Sequence, residues 1–381
     1  MMRQTRRYLL LLILYATNYF GPGVSQLESS TQQALSPSYA KNFEIARFPT
    51  HCLITVKIVQ SGAVVNHRYA IISKDNTSIP ELPKGTTIIR TPIERVVVLE
   101  TIHIGYLDAL DKLDTLVGAP SINYISNSIV RTGIQANTIQ QVKIGSSLDV
   151  EKLLLLQPDL VLTSTSESQG MGISSTLLRS GLPIVFTAEY KEHHLLARAE
   201  WIKFIAEFFD ADEKANEYFE TTATRYEFLS AKTKTIAQRP TVFSGAPYSG
   251  VWHVASGESY IAQAIHDAGG SYLWNHISGS NAIPLSTEHV FLKAANADIW
   301  INPSFYRSYR ELYGADPRFK KFHAAQTGNV YNHTRQQRIG MGNPIWETGI
   351  VHPDEVLADL IKIFHPNQMP DWNFVYYEQL Q

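Results

Sequence analysis

The sequence predicts an α/β protein of two lobes, each with a central, mostly parallel sheet flanked by helices. One long α-helix joins the lobes, and a small N-terminal β extension precedes them. Three observations lead there. A helix-turn-strand unit occurs twice, as Glu151-Lys-Leu-Leu-Leu-Leu-Gln-Pro-Asp159-Leu-Val-Leu and as Glu288-His-Val-Phe-Leu-Lys-Ala-Ala-Asn-Ala-Asp298-Ile-Trp-Ile. Strand-like runs alternate with helical ones on both sides of the middle of the chain, the pattern of a right-handed parallel sheet. Between the two halves a single stretch keeps a 3.6-residue apolar period for about 26 residues, which as a helix is about 40 Å long.

In chain order, Arg3, Arg6 and Arg7 followed by the apolar run Leu9 to Leu14 and the small residues Gly23-Val24-Ser25 read as an export signal over residues 1–25. That run is shorter than the roughly 20 residues a bilayer requires. Residues 26–92 are assigned to a flexible segment and the β extension. Within it Leu53-Ile-Thr-Val-Lys-Ile58, Tyr69-Ala-Ile-Ile72 and Thr87-Ile-Ile-Arg90 alternate as strands, with turns at Gly62, Asp75-Asn76 and Pro83-Lys-Gly85. Cys52, the one cysteine, lies in this stretch and reads as an inert strand thiol, so no intrachain disulfide is available.

The N-terminal lobe is placed at residues 93–210. Arg95-Val-Val-Val-Leu99 is a continuous β-branched run of the kind buried on both faces of a parallel sheet. Ile104, Leu107, Leu110 and Leu113 form a helical stripe after it, and Leu116-Val-Gly118, Leu160-Val-Leu162 and Ile184-Val-Phe186 continue as strands. The connecting helix is assigned to residues 211–239. Asp210 and Glu213 suggest a capping box at its start, and Pro240 ends it. The C-terminal lobe follows over residues 240–365, and residues 366–381 are read as a tail.

In open α/β sheets ligands sit beyond the carboxyl ends of the strands. That rule selects the loops Glu100–His103, Ser121–Asn127 and Thr163–Met171 in the first half. In the second it selects Ser244–Ser256, Pro303–Tyr313 and Asn332–Trp346. The second set is rich in aromatic and basic side chains, which suits a large, partly flat, anionic ligand. Tyr124, Trp252, Arg335, Arg338 and Trp346 are the expected ligand contacts, chosen by loop position and chemistry. Against this stands the plain alternative that such aromatics pack loops onto the sheets. Glu151 and Glu288 also have a plain reading, because a carboxylate in a first helical turn is favoured by the helix dipole by about 0.3–1 kcal/mol. Their recurrence, one per half, points instead to capture and delivery of a ligand.

The 381 residues are 44% hydrophobic and 18% charged, with a formal net charge of -2. That balance argues against nucleic acid, which requires a concentrated basic face. No nucleophile elbow, phosphate loop or dinucleotide fingerprint is present, so no catalytic residue and no resident cofactor are expected. His103, His193, His194, His253, His289 and His352 are scattered without metal-ligand spacing, and no metal residue is assigned. A protein chelating a bare divalent metal is the alternative of another class.

From about Ile93 to His365 the chain resembles the substrate-binding proteins of iron-complex and vitamin B12 ATP-driven (ABC) importers. The resemblance is carried by Pro92-Ile-Glu-Arg-Val-Val-Val-Leu, Leu107-Asp-Ala-Leu, Leu116-Val-Gly, Ile144-Gly145, Val150-Glu151 and Gln157-Pro158-Asp159-Leu-Val-Leu. It continues in Trp252 with Gly257, Ala268-Gly-Gly270, Ser286-Thr-Glu288 with Ala297-Asp298, and Pro353-Asp354-Glu-Val-Leu-Ala-Asp-Leu. It implies two lobes on one long helix. It also implies that Glu151 and Glu288 dock onto arginines of the importer's membrane-spanning subunits. The implied cargo is a ferric siderophore first, then cobalamin, then haem, carried by a monomer in the periplasm. A lipid-anchor cysteine after the apolar run is absent, so a freely diffusing form is expected. The β extension is longer than the family plan requires.

Overall fold

The β-branched run at 95–99 sits where its composition demands, in the middle of a five-stranded sheet. The computed structural model describes residues 34–60, 63–144, 147–164, 177, 179–337 and 340–381; the export signal read at 1–25, Arg338 and residues 165–171 of the expected cleft lie outside these. Val96–Val98 is flanked on one side by Leu116–Ala119 and then Gln140–Gln141, and on the other by Leu160–Ser164 and then Ile184–Thr187. All four pairings are parallel. Val96, Val97, Val98, Leu160, Val161 and Leu162 are buried, as strands covered on both faces must be.

The second lobe repeats the plan with a different strand order. Thr241–Ser244 has Ser271–Tyr272 on one side and Ile299–Ile301, Val330–Asn332 and Glu378–Gln379 on the other. The first four strands are parallel, and the last is antiparallel. The stretch 366–381, read from the sequence as a tail, is therefore an integral edge of this sheet. The buried Asp359 carboxylate fixes it by accepting the backbone N–H groups of Val375, Tyr376 and Tyr377 and the Trp372 indole N–H. In both sheets the chain reverses its direction of growth beside the first strand. The crevice predicted by that reversal lies at the carboxyl ends of Val96–Val98 and Leu160–Ser164, and of Thr241–Ser244 and Ile299–Ile301.

The joining helix runs from Asp212 to Lys234, about 35 Å. Ala215, Phe219, Thr222, Ala223, Tyr226, Ser230 and Thr233 form its buried stripe. Acidic Asp212 and Glu213 open it and Lys232 and Lys234 close it, in the sense the helix dipole favours. The expected capping box does not form. Asp210 adopts φ 52° and closes the preceding helical run, with the Ala211 N–H reaching the Ala206 carbonyl at 3.2 Å. Ala211 is the N-cap and caps nothing with its side chain.

The N-terminal extension is a five-stranded sheet whose spatial order follows the sequence: Ala34–Leu35, Phe43–Phe48, His51–Gln60, Ala63–Ser73 and Thr86–Thr91. Its alternation buries Phe43, Ile54, Val56 and Tyr69. Phe43 packs edge-on against Trp201 at 4.9 Å. The Tyr69 hydroxyl accepts the Phe186 N–H (2.9 Å), satisfying a donor on the outer strand of the first parallel sheet. An exposed sheet edge is a liability, and the extension covers this one. Two buried glutamates hold its entry segment. Glu200 accepts the N–H groups of Ser38, Tyr39 and Ala40, and Glu192 accepts those of Lys41 and Asn42. Cys52 is free and half-buried, and burial first of all pushes its thiol pKa far up.

Candidate functional site

The two repeats build the same local structure. In the first, Asp149 caps the helix Val150–Leu156 by accepting the Lys152 N–H at 2.9 Å; in the second, Ser286 caps Thr287–Ala294 through the His289 N–H at 3.2 Å. Each helix buries the residue two after its glutamate, Leu153 and Val290. In each repeat the aspartate before the strand ties it to the start of the first strand of its sheet. Asp159 Oδ2 accepts the N–H groups of Glu94 and Arg95, both at 3.0 Å. Asp298 Oδ2 accepts both the N–H and the hydroxyl of Thr241, each at 2.7 Å.

The glutamates themselves are exposed in both copies. Glu288 pairs with Arg318 at 3.1 Å. Its carboxyl is held below the usual range, by its own backbone N–H first and then by Arg318. Glu151 has no such ion pair among the described residues.

At the carboxyl ends of the first sheet a network of polar side chains is closed on itself. Lys143 Nζ donates to the Leu99 carbonyl (2.8 Å) and to Glu100 (3.1 Å), and the Ser164 N–H donates to the other Glu100 oxygen (3.0 Å). The loops beyond this network and those of the second sheet meet. The Met341 N–H donates to the Asn123 carbonyl (2.9 Å). Buried Glu347 accepts the N–H groups of Ser126 (2.6 Å) and Asn127 (2.8 Å). Burial raises the Glu347 pKa to about 7, against the lowering effect of those two N–H donors. Gly105 makes this approach possible: a Cβ there would lie 2.1 Å from the Glu347 carbonyl oxygen.

Five aromatic side chains are exposed among the described residues: Tyr124, Phe228, Tyr248, Phe305 and Trp346. All but Phe228 stand on segments leaving the carboxyl ends of the two sheets. Tyr124 and Trp346 belong to the loops that meet. Arg335 is exposed on the loop after Val330–Asn332, with its backbone N–H on the Tyr376 carbonyl. Trp252 is a correction. It is fully buried among Phe243, Trp300, Phe319 and Phe322, and its indole N–H donates to the Ser244 carbonyl at 3.0 Å. It is a core residue because Val251–Ala255 turns Trp252 and Val254 to one inner face.

Two exposed aromatics on the selected loops are not among the expected ligand contacts. Tyr248 borders a two-residue hairpin turn at Ser249 and Gly250, both at positive φ (51° and 82°). Phe305 follows Asn302 and Ser304, at φ 54° and 55°. Such left-handed non-glycine residues cost on the order of 1 kcal/mol each and cluster at functional loops. Arg198 was also missed. It is buried, lies 4.2 Å over the Tyr260 ring, and its Nε has no hydrogen-bond partner among the described residues. With Tyr260, Asn302, His333, Trp346 and Tyr377 it lines a cavity of about 50 Å³. Burial lowers the His333 pKa to about 4, so that wall is neutral. Among the described residues no group of His, Cys, Asp and Glu is arranged to hold a metal ion. His194 is occupied structurally, capping Leu195–Ala199 and bonding Asp267 at 3.1 Å.

Residues 96–336 match the family described as periplasmic binding protein. An uncharacterized lipoprotein of Methanocaldococcus jannaschii is 25% identical over 289 residues, 73% of this chain and 67% of its own. Among solved structures, a periplasmic binding protein from Veillonella parvula aligns with a TM-score of 0.56 at 15% identity, over 82% of this chain and 98% of that one. A periplasmic heme binding protein from Pseudomonas aeruginosa aligns with a TM-score of 0.56 at 16% identity, over 76% and 99%. At these identities the likeness is one of fold. No helix among the described residues is long and apolar enough to cross a membrane.

Proposed function

The chain belongs to the periplasmic binding protein family, and from that premise we propose that it captures an iron-siderophore-type complex between its lobes and delivers it to an ABC importer. The observation that carries the reading is the placement of the exposed aromatics. Four of the five stand on segments leaving the carboxyl ends of the two sheets, where an open α/β fold receives its ligand. Aromatic rings offer large contact area with few rotors to freeze, which suits the organic shell of a chelate. The chelator would hold the metal. Tyr124, Trp346 and Arg335 are the proposed contacts, joined by Tyr248 and Phe305. Trp346 also borders the Arg198 cavity, so an acidic arm of the ligand passing it would meet an uncommitted guanidinium N–H.

Delivery would use Glu151 and Glu288, two exposed anions at matching places on the two lobes. Separated charges of one sign fix orientation and steer encounter with a basic partner. The partner proposed is the pair of membrane-spanning importer subunits.

The test is titration of the purified full chain with a ferric catecholate and a ferric hydroxamate, read by tryptophan fluorescence. Saturable quenching that weakens at least tenfold in a Tyr124→Ala/Trp346→Ala variant is expected. A visible haem or cobalamin spectrum on protein purified from its own host would assign the cleft to that ligand instead. Failure of all of these, with a bare divalent metal raising thermal stability, would move the protein to the metal-chelating class.

A further inference from the structure

We propose that Leu155 and Leu292 are paired apolar docking knobs, each set one helical turn beyond the repeated glutamate. They would seat in apolar sockets beside the basic groups of the importer's membrane-spanning subunits. The inference rests on the docking reading above and extends it from charge to shape.

Single exposed leucines are ordinary on protein surfaces and need no explanation. These two are set apart by degree and by register. At 84% and 86% exposure they are the most exposed large hydrophobic side chains among the described residues; Tyr248 follows at 76%. Each stands four residues after its glutamate, 151 to 155 and 288 to 292. On a helix that spacing places both side chains on one face, stacked along the axis. Neither leucine serves its own core, because each helix already packs through the residue two after the glutamate, Leu153 and Val290. Leu154, also exposed, widens the first patch.

An acidic side chain with an exposed leucine beside it, built once per lobe, is complementary to a basic side chain flanked by an apolar hollow, presented twice. The two parts divide the work physically. Exposed charge pairs orient the encounter and weaken as salt screens them. Apolar burial is insensitive to such screening and lengthens the lifetime of the complex. Burying one leucine supports roughly a tenfold gain in affinity.

The test uses the fluorescently labelled full chain and right-side-out membrane vesicles from host cells lacking their own copy. Wild type is expected to bind saturably and Glu151→Ala/Glu288→Ala to lose binding. Leu155→Ser/Leu292→Ser should bind at least tenfold more weakly with unchanged thermal stability. Leu155→Met/Leu292→Met should restore most of the loss, and the serine variant should lose more binding at high salt than wild type does. If the glutamate variant fails to bind while the serine variant binds like wild type, the leucine inference falls and the docking reading stands. Should wild type not bind, or the glutamate variant bind like wild type, the docking reading falls and takes this inference with it. Equal binding to protein-free liposomes of host lipid would assign the leucines to lipid and overturn the proposal.

Discussion

The repeat at 149–164 and the repeat at 286–301 differ least where they hold the fold together and most where they face outward. Both have a polar N-cap, a buried apolar residue two after the glutamate, and an aspartate before the strand that accepts backbone N–H groups at the start of the neighbouring strand. Yet the carboxylates they display are not in the same state. Glu288 is engaged by Arg318, which Asp316 also holds, whereas Glu151 has no ion pair among the described residues. The shared part is thus architectural. The repeat alone would be explained by a common α/β plan, and only exposure of both glutamates, each with an exposed leucine beyond it, supports a common use.

The largest effect is expected at a carboxylate neither repeat possesses, Glu347, the buried staple to the first lobe. Its pKa is about 7 when folded, against an ordinary 4.5, so the folded state holds a proton between these values that the unfolded chain releases. The contribution of this group to stability should therefore be fully present below pH 4.5 and be lost as pH rises through 7, by about 3 kcal/mol in total. Denaturant unfolding between pH 4.5 and 8 checks the sign, and Glu347→Gln should flatten that slope.

Next come the two aspartates. Asp159→Ala and Asp298→Ala each strand two donors, and each should cost about 2 kcal/mol of stability by thermal unfolding. Similar losses would confirm that the repeats are structurally equivalent; a loss in one alone would break the equivalence. The smallest effect belongs to the difference itself. Arg318→Ala releases Glu288 from an exposed pair, which should change stability by less than about 1 kcal/mol. It should also make single Glu151→Ala and Glu288→Ala variants more alike in importer binding.

The architecture was legible because its signals are local and periodic. The β-branched run at 95–99, the repeated Asp-strand units and the 3.6-residue stripe through Phe219 and Tyr226 all appear in the sequence in the form in which they fold. The site was legible only in part. The rule on strand ends led to Tyr124 and Trp346, which are exposed on loops that meet, and to Trp252, which is buried. The alternation Trp252, Val254 was the available signal that it faces inward. Arg198 left no local mark, since a buried guanidinium with an unpartnered Nε is a product of tertiary packing around an otherwise apolar helix. The capping box at Asp210 failed because one residue stood where two helical segments meet, and there the ending of the first prevailed.

Glu151 and Glu288 are proposed as handles for delivery that take no part in holding cargo. Uptake of a ferric catecholate by host cells, measured beside its affinity for the purified chain, tests this most directly in the Glu151→Ala/Glu288→Ala variant. Uptake is expected to be lost while affinity stays within about twofold of wild type. Transport at the wild-type rate by that variant would contradict it.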